Sequence, residues 1–289
     1  MNGYQSIFKP TLFEGCNIIV TGGGSGIGRC ITHELASLGA HLIILGRKQE
    51  KLDSVCQEVT EDGGSISAYA CDIRDEAMVE EVIKGAVAQQ GVISGLVNNA
   101  GGQFPAPISG INKKGFSAVV NTNLVGGFLV AKALYNHSMS RHGGAIVNII
   151  ADMWGGMPGM AHSGAARAGM ENFTKTAAVE WACSGVRVNA VAPGWIQSSG
   201  MDSYRGPIQA FIPKLKESVP LKRLGLEAEV SGAVSFLLSP AASFITGATL
   251  KVDGAASLGN RVWPLPDAKN NQPYDGFHRA STPDILNNS

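Results

Sequence analysis

Thr21-Gly22-Gly23-Gly24-Ser25-Gly26-Ile27-Gly28 decides how this chain is read. An apolar run, Asn17-Ile18-Ile19-Val20, leads into it. An amphipathic stretch, Ile31 to Leu38, follows with apolar residues at helical spacing. Strand, glycine loop and helix in that order is the setting in which such a loop takes a dinucleotide. Glycines let the backbone turn tightly and approach a pyrophosphate. The N–H groups at the start of the next helix then face the negative charge. A glycine-rich loop alone also suits a plain tight turn, so the rest of the chain has to discriminate.

Outward from the loop, apolar runs and helical stretches alternate. His41–Leu45, Ile66–Cys71, Gly95–Asn98, Ala145–Ile150, Val186–Ala190 and Thr249–Val252 read as strands. Lys48–Val59, Glu76–Gln89, Gly115–Arg141, Ala161–Ser184 and Ala228–Leu238 read as helices. Alternating β and α with near-continuous apolar strands predicts an α/β fold, a doubly wound parallel sheet with helices on both faces. Ligands in such sheets bind beyond the carboxyl ends of the strands. That rule lines up Thr21–Gly28, Gly46-Arg47, Asp72-Ile73, Asn98–Gly102, Ile150–Asp152 and Pro193-Gly194 along one edge. Residues 1–260 are expected to form one domain, with a mobile lid of one or two helices at about Gly200–Pro220. The Pro- and Asn-rich tail, 261–289, is expected to be irregular.

Composition narrows the function classes. The 289 residues carry 23 Lys plus Arg against 23 Asp plus Glu, so charge gives no reason to expect nucleic acid or an anionic membrane as partner. No apolar run reaches about 18 residues, so no membrane span is expected. Met1–Pro10 lacks the pattern of a signal peptide, and the last residues are not a peroxisomal Ser-Lys-Leu address. Five scattered cysteines with no Cys-x-x-Cys pair fit reduced thiols in the cytoplasm, without disulfides or a metal site.

Further motifs, in order, now accompany the loop: Asn98-Asn99-Ala100-Gly101, Asn123, Val188-Asn189 with Pro193-Gly194, and Asp253-Gly254. Over roughly Phe13 to Leu258 the chain resembles the short-chain dehydrogenases/reductases. The resemblance implies a Rossmann fold, a nicotinamide cofactor and a homotetramer. It implies that Asp72 and Ile73 border the adenine, Asn99, Ala100 and Gly101 the ribose, and Pro193, Gly194 and Ile196 the nicotinamide. Cofactor choice follows from the end of the second strand. An NAD-selective site would carry a carboxylate there for the ribose 2′-hydroxyl. This chain has Gly46-Arg47-Lys48, and a guanidinium welcomes a 2′-phosphate, which favours NADP(H) over a merely solvated Arg47.

The catalytic helix departs from the family. A standard member has a Tyr-x-x-x-Lys pair there, and an earlier Ser that binds the substrate oxygen. Here His162-Ser163-Gly164-Ala165-Ala166-Arg167-Ala168-Gly169 puts Ser163 at the Tyr position and Arg167 at the Lys position, while Ile150 stands for the Ser. Only Asn123 of the usual four remains. Reducing a carbonyl to an alcohol requires an acid of suitable pKa for the oxygen, and an unassisted serine is far too weak. Reducing a C=C bond conjugated to a thioester sends hydride to the β carbon. Hydrogen-bond donors then stabilise the enolate oxygen without giving it a proton.

A closer resemblance agrees with that chemistry. His162–Gly169, Gly101-Gly102-Gln103-Phe104, Glu180–Gly185 and Ser239–Gly247 are similar to the peroxisomal trans-2-enoyl-CoA reductases and the 2,4-dienoyl-CoA reductases, in which Ser also takes the Tyr place. The resemblance implies reduction of an acyl-CoA double bond with NADPH. Where the mitochondrial dienoyl reductases use a Tyr just beyond the Ser position, this chain has Asp152. Where the peroxisomal enoyl reductases have a Tyr after the Ala-Gly, it has Glu171.

Single residues carry two readings each. Asn123 is a substrate or water ligand, or a buried amide bonded to backbone. Ser163 donates to a thioester or cofactor oxygen, or is a helix hydroxyl bonded to backbone. Asp152 orients water or acts as an acid with a raised pKa, or caps a turn. Arg167 is expected to reach the nicotinamide ribose, Glu171 to pair with Arg167 one turn away, and His162, about 100° from Ser163 around the helix, to be structural. Asn123, Asp152, Ser163 and Arg167 are therefore the catalytic candidates for an NADPH-dependent enoyl-CoA reductase. The alternatives are an alcohol or 3-ketoacyl dehydrogenase, for example on a terpenoid alcohol such as citronellol, and a nucleotide-binding subunit without turnover.

Overall fold

The computed structural model describes residues 3–204, 206–258, 265–268 and 270–287. Its strands are β1 (Asn17–Thr21), β2 (His41–Gly46), β3 (Ser65–Ala70), β4 (Gly95–Asn98), β5 (Gly144–Ile149), β6 (Val186–Pro193), β7 (Ile196–Gln197), β8 (Gly225–Leu226) and β9 (Thr249–Val252). Seven of them form one parallel sheet in the order β3-β2-β1-β4-β5-β6-β9. Ile18–Val20 and Leu42–Leu45 are buried without alternation, because each strand is covered on both sides. β7 and β8 make a separate short pair.

The main helices are α1 (Gly26–Ser37), α2 (Gln49–Glu61), α3 (Glu76–Gln90), α4 (Lys113–His142), α5 (Ala161–Glu180) and α6 (Glu227–Leu238). Leu35, Val55 and Val234 of α1, α2 and α6 fill one side of the sheet. Ile83, Val130 and Ala178 of α3, α4 and α5 fill the other. Local signals fix the ends. Asp75 accepts from Met78 N (3.1 Å) at the start of α3, and Asn112 from Gly115 N (2.8 Å) at the start of α4. Gly91 and Gly143, with φ of 76° and 72°, terminate the same two helices.

One expectation, that of the lid, is corrected here. Among the described residues one helix, α4, is long and apolar enough to cross a membrane by length and composition. Half of its apolar window is buried, and it packs on α3 and α5 as a core helix. The lid is not α-helical. Its described residues form three 3-10 turns, Ser199–Ser203, Gly206–Ala210 and Ile212–Ser218. Gly200, Gly206 with φ 80°, and Pro213 at the start of the third turn interrupt any longer helix. In the tail, the Tyr274 hydroxyl donates to Gln5 O (3.0 Å), Phe277 stacks on Tyr4, and Arg279 pairs with Glu61 and Asp62 of the α2 end. Tail residues 261–264, 269 and 288–289 lie outside the described residues.

Candidate active site

The chain order reverses between β1 and β4, which opens a crevice at their carboxyl ends. Thr21 and Asn99 close its floor. Thr21 Oγ1 accepts from Asn99 N and Ala100 N, both at 3.0 Å, and Asn99 Nδ2 donates back to Thr21 O at 3.0 Å. These two side chains therefore hold the glycine loop to the Asn98–Gly101 turn. The loop presents backbone to a ligand, not the Thr21 hydroxyl. Gly22 and Gly26 adopt φ of 68° and 55°. A Cβ on Gly28 would lie 2.2 Å from Gly22 O and 2.4 Å from Asn99 Nδ2, so only glycine lets α1 begin this close. Ser25 sits extended before α1 without a side-chain cap, and no acidic residue occupies the first turn. The N–H groups of Gly26, Ile27 and Gly28 thus begin the helix without partners inside it.

At the far end of the crevice, Arg47 is exposed beyond β2. Asp72, beyond β3, accepts from Arg74 Nε at 2.8 Å, and this bond, with the charges of Arg74 and Arg47, holds its carboxyl down at about 2. Two guanidiniums therefore flank one carboxylate, and Arg74 is a residue the sequence reading missed. Ile73 does not face the crevice with its side chain. It is 6% exposed and fills the space where a Cβ on Gly126 would meet it at 2.7 Å.

Between these ends and the lid lies a cavity of about 520 Å³. Ile27, Asn99, Gly101, Pro193, Gly194 and Ile196 line it on the loop side. Ile150, Met157, Met160, Trp195 and Met201 give it an apolar wall, and Asp152, Arg167, Gln103 and Tyr204 supply polar groups. Arg167, on α5, donates from Nη1 to Ile149 O at 2.5 Å, while its Nε is enclosed without a partner. Burial pushes this guanidinium down to about 10. The expected pair with Glu171 does not form. Glu171 pairs instead with Lys175 at 2.9 Å, on the outer face of α5.

Asn123 and Ser163 stand behind the wall. A π turn in α4, Asn121–Val125, turns Asn123 inward, where Oδ1 accepts from Gly102 N at 2.8 Å and Nδ2 is enclosed without a partner. Ser163 is fully buried and donates to Gln103 Oε1 at 2.7 Å. Gln103 Nε2 in turn donates to Tyr204 Oη at 2.8 Å. The Gly102-Gln103 turn intervenes, so neither Asn123 nor Ser163 lines the cavity as the direct oxygen ligand expected of it. Both position residues that do. His162 is structural, its buried ring set edge-on to Phe104 at 4.4 Å.

Asp152 does line the cavity and caps the turn through Trp154 N. Burial first, and Asp253 second, raise its carboxyl above the usual range. Asp253 is itself engaged, accepting from Ala255 N (2.9 Å) and Ser257 N (3.1 Å). A carboxylate the sequence reading missed, Glu227 at the start of α6, lies where a Cβ on Gly26 would meet its Oε1 at 3.8 Å, and burial raises it to about 7. Gln103 stands within the quoted Gly101–Phe104 run. Tyr204 carries no motif or periodicity that links it to α5.

A glycine cradle without room for a Cβ, an uncapped helix start and an enclosed guanidinium edge together fit a dinucleotide. Similarity to known proteins points the same way. Residues 22–257 match the family model described as Enoyl-(Acyl carrier protein) reductase. The chain is 35% identical over 244 residues to a probable 2,4-dienoyl-CoA reductase of Bacillus subtilis, covering 83% of this chain and 96% of that protein. It is 36% identical over 262 residues to a peroxisomal 2,4-dienoyl-CoA reductase of Danio rerio, covering 89% and 87%. Among solved structures, a citronellol catabolism dehydrogenase (AtuB) of Pseudomonas aeruginosa PAO1 is 59% identical with a TM-score of 0.80, covering 88% of this chain and 100% of that one. The chain therefore belongs to the short-chain dehydrogenase/reductase family, as an oxidoreductase similar to its 2,4-dienoyl-CoA reductase members.

Proposed function

We propose that this protein is an NADPH-dependent reductase of the C=C bond of trans-2-enoyl-CoA or 2,4-dienoyl-CoA thioesters. The observation that carries the reading is the cavity wall. It offers an enclosed guanidinium and an apolar lining, and the hydroxyl at the usual acid position of α5, Ser163, is turned away into a bond with Gln103. Such a wall suits an oxygen that becomes an enolate and takes no proton. When bound, NADPH supplies the hydride to the β carbon. Arg47, beside Arg74, is the partner for a 2′-phosphate, and the N–H groups of Gly26, Ile27 and Gly28 are partners for the pyrophosphate. Arg167 orients the nicotinamide ribose. Asn123 fixes the Gly102 turn, and Asp152 holds a water near the thioester.

Similarity to the 2,4-dienoyl-CoA reductases supports the acyl-CoA substrate. Five unpaired cysteines suit a reducing compartment such as the cytoplasm. Exposed Phe116, Val125, Phe128 and Val179 on α4 and α5 give a surface that would support a homotetramer. The test is oxidation of NADPH with crotonyl-CoA and hexadienoyl-CoA. Turnover of either supports the proposal, and silence with both alongside turnover of an alcohol overturns it.

The 59% identity to the citronellol catabolism dehydrogenase favours one second reading, oxidation of a terpenoid alcohol. That reading requires an acid–base group for the alcohol oxygen. It predicts reduction of NADP by citronellol, and higher activity in an S163Y/R167K double variant.

A further inference from the structure

We propose that the C-terminal segment 277–287 is a strap that positions the lid over the apolar wall of the cavity, and so shapes the site for the acyl chain. The acyl chain as occupant rests on the enoyl-thioester reading above.

The segment is fastened first on the cofactor half of the domain. Phe277 is 3% exposed, stacked on Tyr4 and set under the Arg29 guanidinium at 5.1 Å. Arg279 pairs with Glu61 at 3.1 Å and Asp62 at 2.8 Å, and its carbonyl accepts from Arg29 Nη1 at 3.2 Å. Arg29 follows the glycine cradle on α1 and is itself paired with Glu58 of α2 at 2.7 Å. The strap therefore starts from two helices that pack on the sheet.

Three residues further on it reaches the lid. Thr282 Oγ1 accepts from Gln197 Nε2 at 3.2 Å, and Ile285 N donates to Asp202 Oδ1 at 3.1 Å. The single helical turn Asp284–Asn287 packs on the lid turns Ser199–Ser203 and Ile212–Ser218. Gln197 and Asp202 bracket the stretch that faces the cavity. Ser198, Gly200 and Met201 line it, and Met201 is 4% exposed. From the inner side, Gln103 Nε2 donates to Tyr204 Oη at 2.8 Å. The lid is thus held by the β4 turn within and by the strap without.

The link between the two attachments is short. From Arg279 to Thr282 the chain spans at most about 11 Å. Buried Pro283 then fixes φ before the helical turn. The strap therefore carries the position of the α2 end to the lid. Met201 shares the apolar wall with Met157, Met160 and Trp195. Holding the lid in place lowers the cost of ordering that wall around an acyl chain. Arg47 and the N–H groups of Gly26, Ile27 and Gly28 sit on other elements, so cofactor affinity should not depend on the strap.

The experiment compares the full chain with Ile285→Pro and Arg279→Ala. Ile285→Pro removes the donor to Asp202 in the first turn of a helix, where proline is tolerated. Arg279→Ala releases the other end. Trypsin cleavage at exposed Lys214 and Lys216 reads opening of the lid. NADPH binding is followed by fluorescence, and kcat and KM are measured with hexadienoyl-CoA and crotonyl-CoA. Each variant should be cut in the lid about 2- to 10-fold faster and show a thioester KM about 2- to 10-fold higher, the loss of one hydrogen bond. Saturated kcat and the NADPH Kd should stay as in wild type. Faster cleavage without a higher KM, or a higher KM without faster cleavage, overturns the proposal, as does wild-type behaviour in both variants. Weaker NADPH binding in both also overturns it, because the segment would then brace the whole domain. If wild type reduces neither thioester, the functional reading has failed, and lid cleavage alone decides whether the strap holds the lid.

Discussion

Replacing Arg167 by methionine should weaken cofactor binding while leaving the cofactor-free protein as stable as before, or more so. Arg167 donates to Ile149 O, its Nε has no partner, and burial pushes the guanidinium down to about 10. At about 1.4 kcal/mol per pH unit, the drop from the ordinary guanidinium range disfavours the buried charge by roughly 3 kcal/mol. Arginine is protonated in both folded and unfolded chains near neutral pH, so the whole cost is present at pH 7. It is relieved only as the pH rises past about 10. Arg167→Met removes that cost. It also removes a hydrogen bond from a charged donor, which contributes about 1.5–3 kcal/mol. The two nearly cancel, so urea unfolding without cofactor should show stability between unchanged and about 1.5 kcal/mol higher. Removing an ordinary well-packed core side chain costs about 2–5 kcal/mol.

Binding should move the other way. A charge-assisted bond from the guanidinium to the nicotinamide ribose, worth about 1.5–3 kcal/mol, predicts NADPH binding weaker by about 10- to 150-fold in a fluorescence titration. A variant that loses more than about 2 kcal/mol of stability and binds NADPH normally would refute the reasoning. Arg167 would then be a structural brace for the end of β5, with no part in holding the cofactor.

Two further predictions test the ends of the crevice. Arg47→Asp should weaken NADPH by about 10- to 150-fold, the loss of one charge-assisted contact, and improve NADH. An unchanged ratio of the two dissociation constants would remove Arg47 from the 2′-phosphate site. Glu227, raised to about 7 by burial, binds a proton more readily when folded than when unfolded. Stability should therefore fall as pH rises from about 4 to about 7, and Glu227→Gln should abolish that loss in thermal melts at pH 5 and pH 8. The same variant should bind NADPH more tightly at pH 8, because it removes a carboxylate beside Gly26.

What the sequence made legible follows from the range of the interactions involved. The β1–loop–α1 unit could be read from Asn17–Leu38 because hydrophobic period and glycine geometry are local. That the sheet is parallel and covered on both faces could be read from apolar strands separated by helical spacing. Ends were less secure where two local choices compete. Glu171 has a cation one turn before it and another one turn after it. Lys175 wins because Arg167 faces the sheet and is held by Ile149 O. The lid was read as helical from its mixture of polar and apolar residues, but Gly200, Gly206 and Pro213 cut it into 3-10 turns. The hydrogen bonds that join Ser163, Gln103 and Tyr204 could not be read at all. Gln103 and Tyr204 are 101 residues apart, and only the closing of the lid on the β4 turn brings them together.

The motifs that identify the family turn out to hold the scaffold more than they perform the chemistry. Asn98 donates to Asn148 Oδ1 at 2.9 Å, and Asn148 donates to Thr174 at 2.9 Å, which ties β4 and β5 to α5 through buried amides. Asn189 donates to Ile245 O and accepts from Ala248 N, pinning the segment that enters β9. Thr21 and Asn99 clasp the glycine loop, and Asp253 caps the turn after β9. A chain can therefore keep every one of these residues and change its reaction. What differs is the set around the cavity: Arg167 in place of a lysine, which lines it, and Ser163, which stands behind the wall and is turned to Gln103. The reaction has to be read from that set, and the lid, which bears no motif, walls one side of the cavity through Met201 and Tyr204.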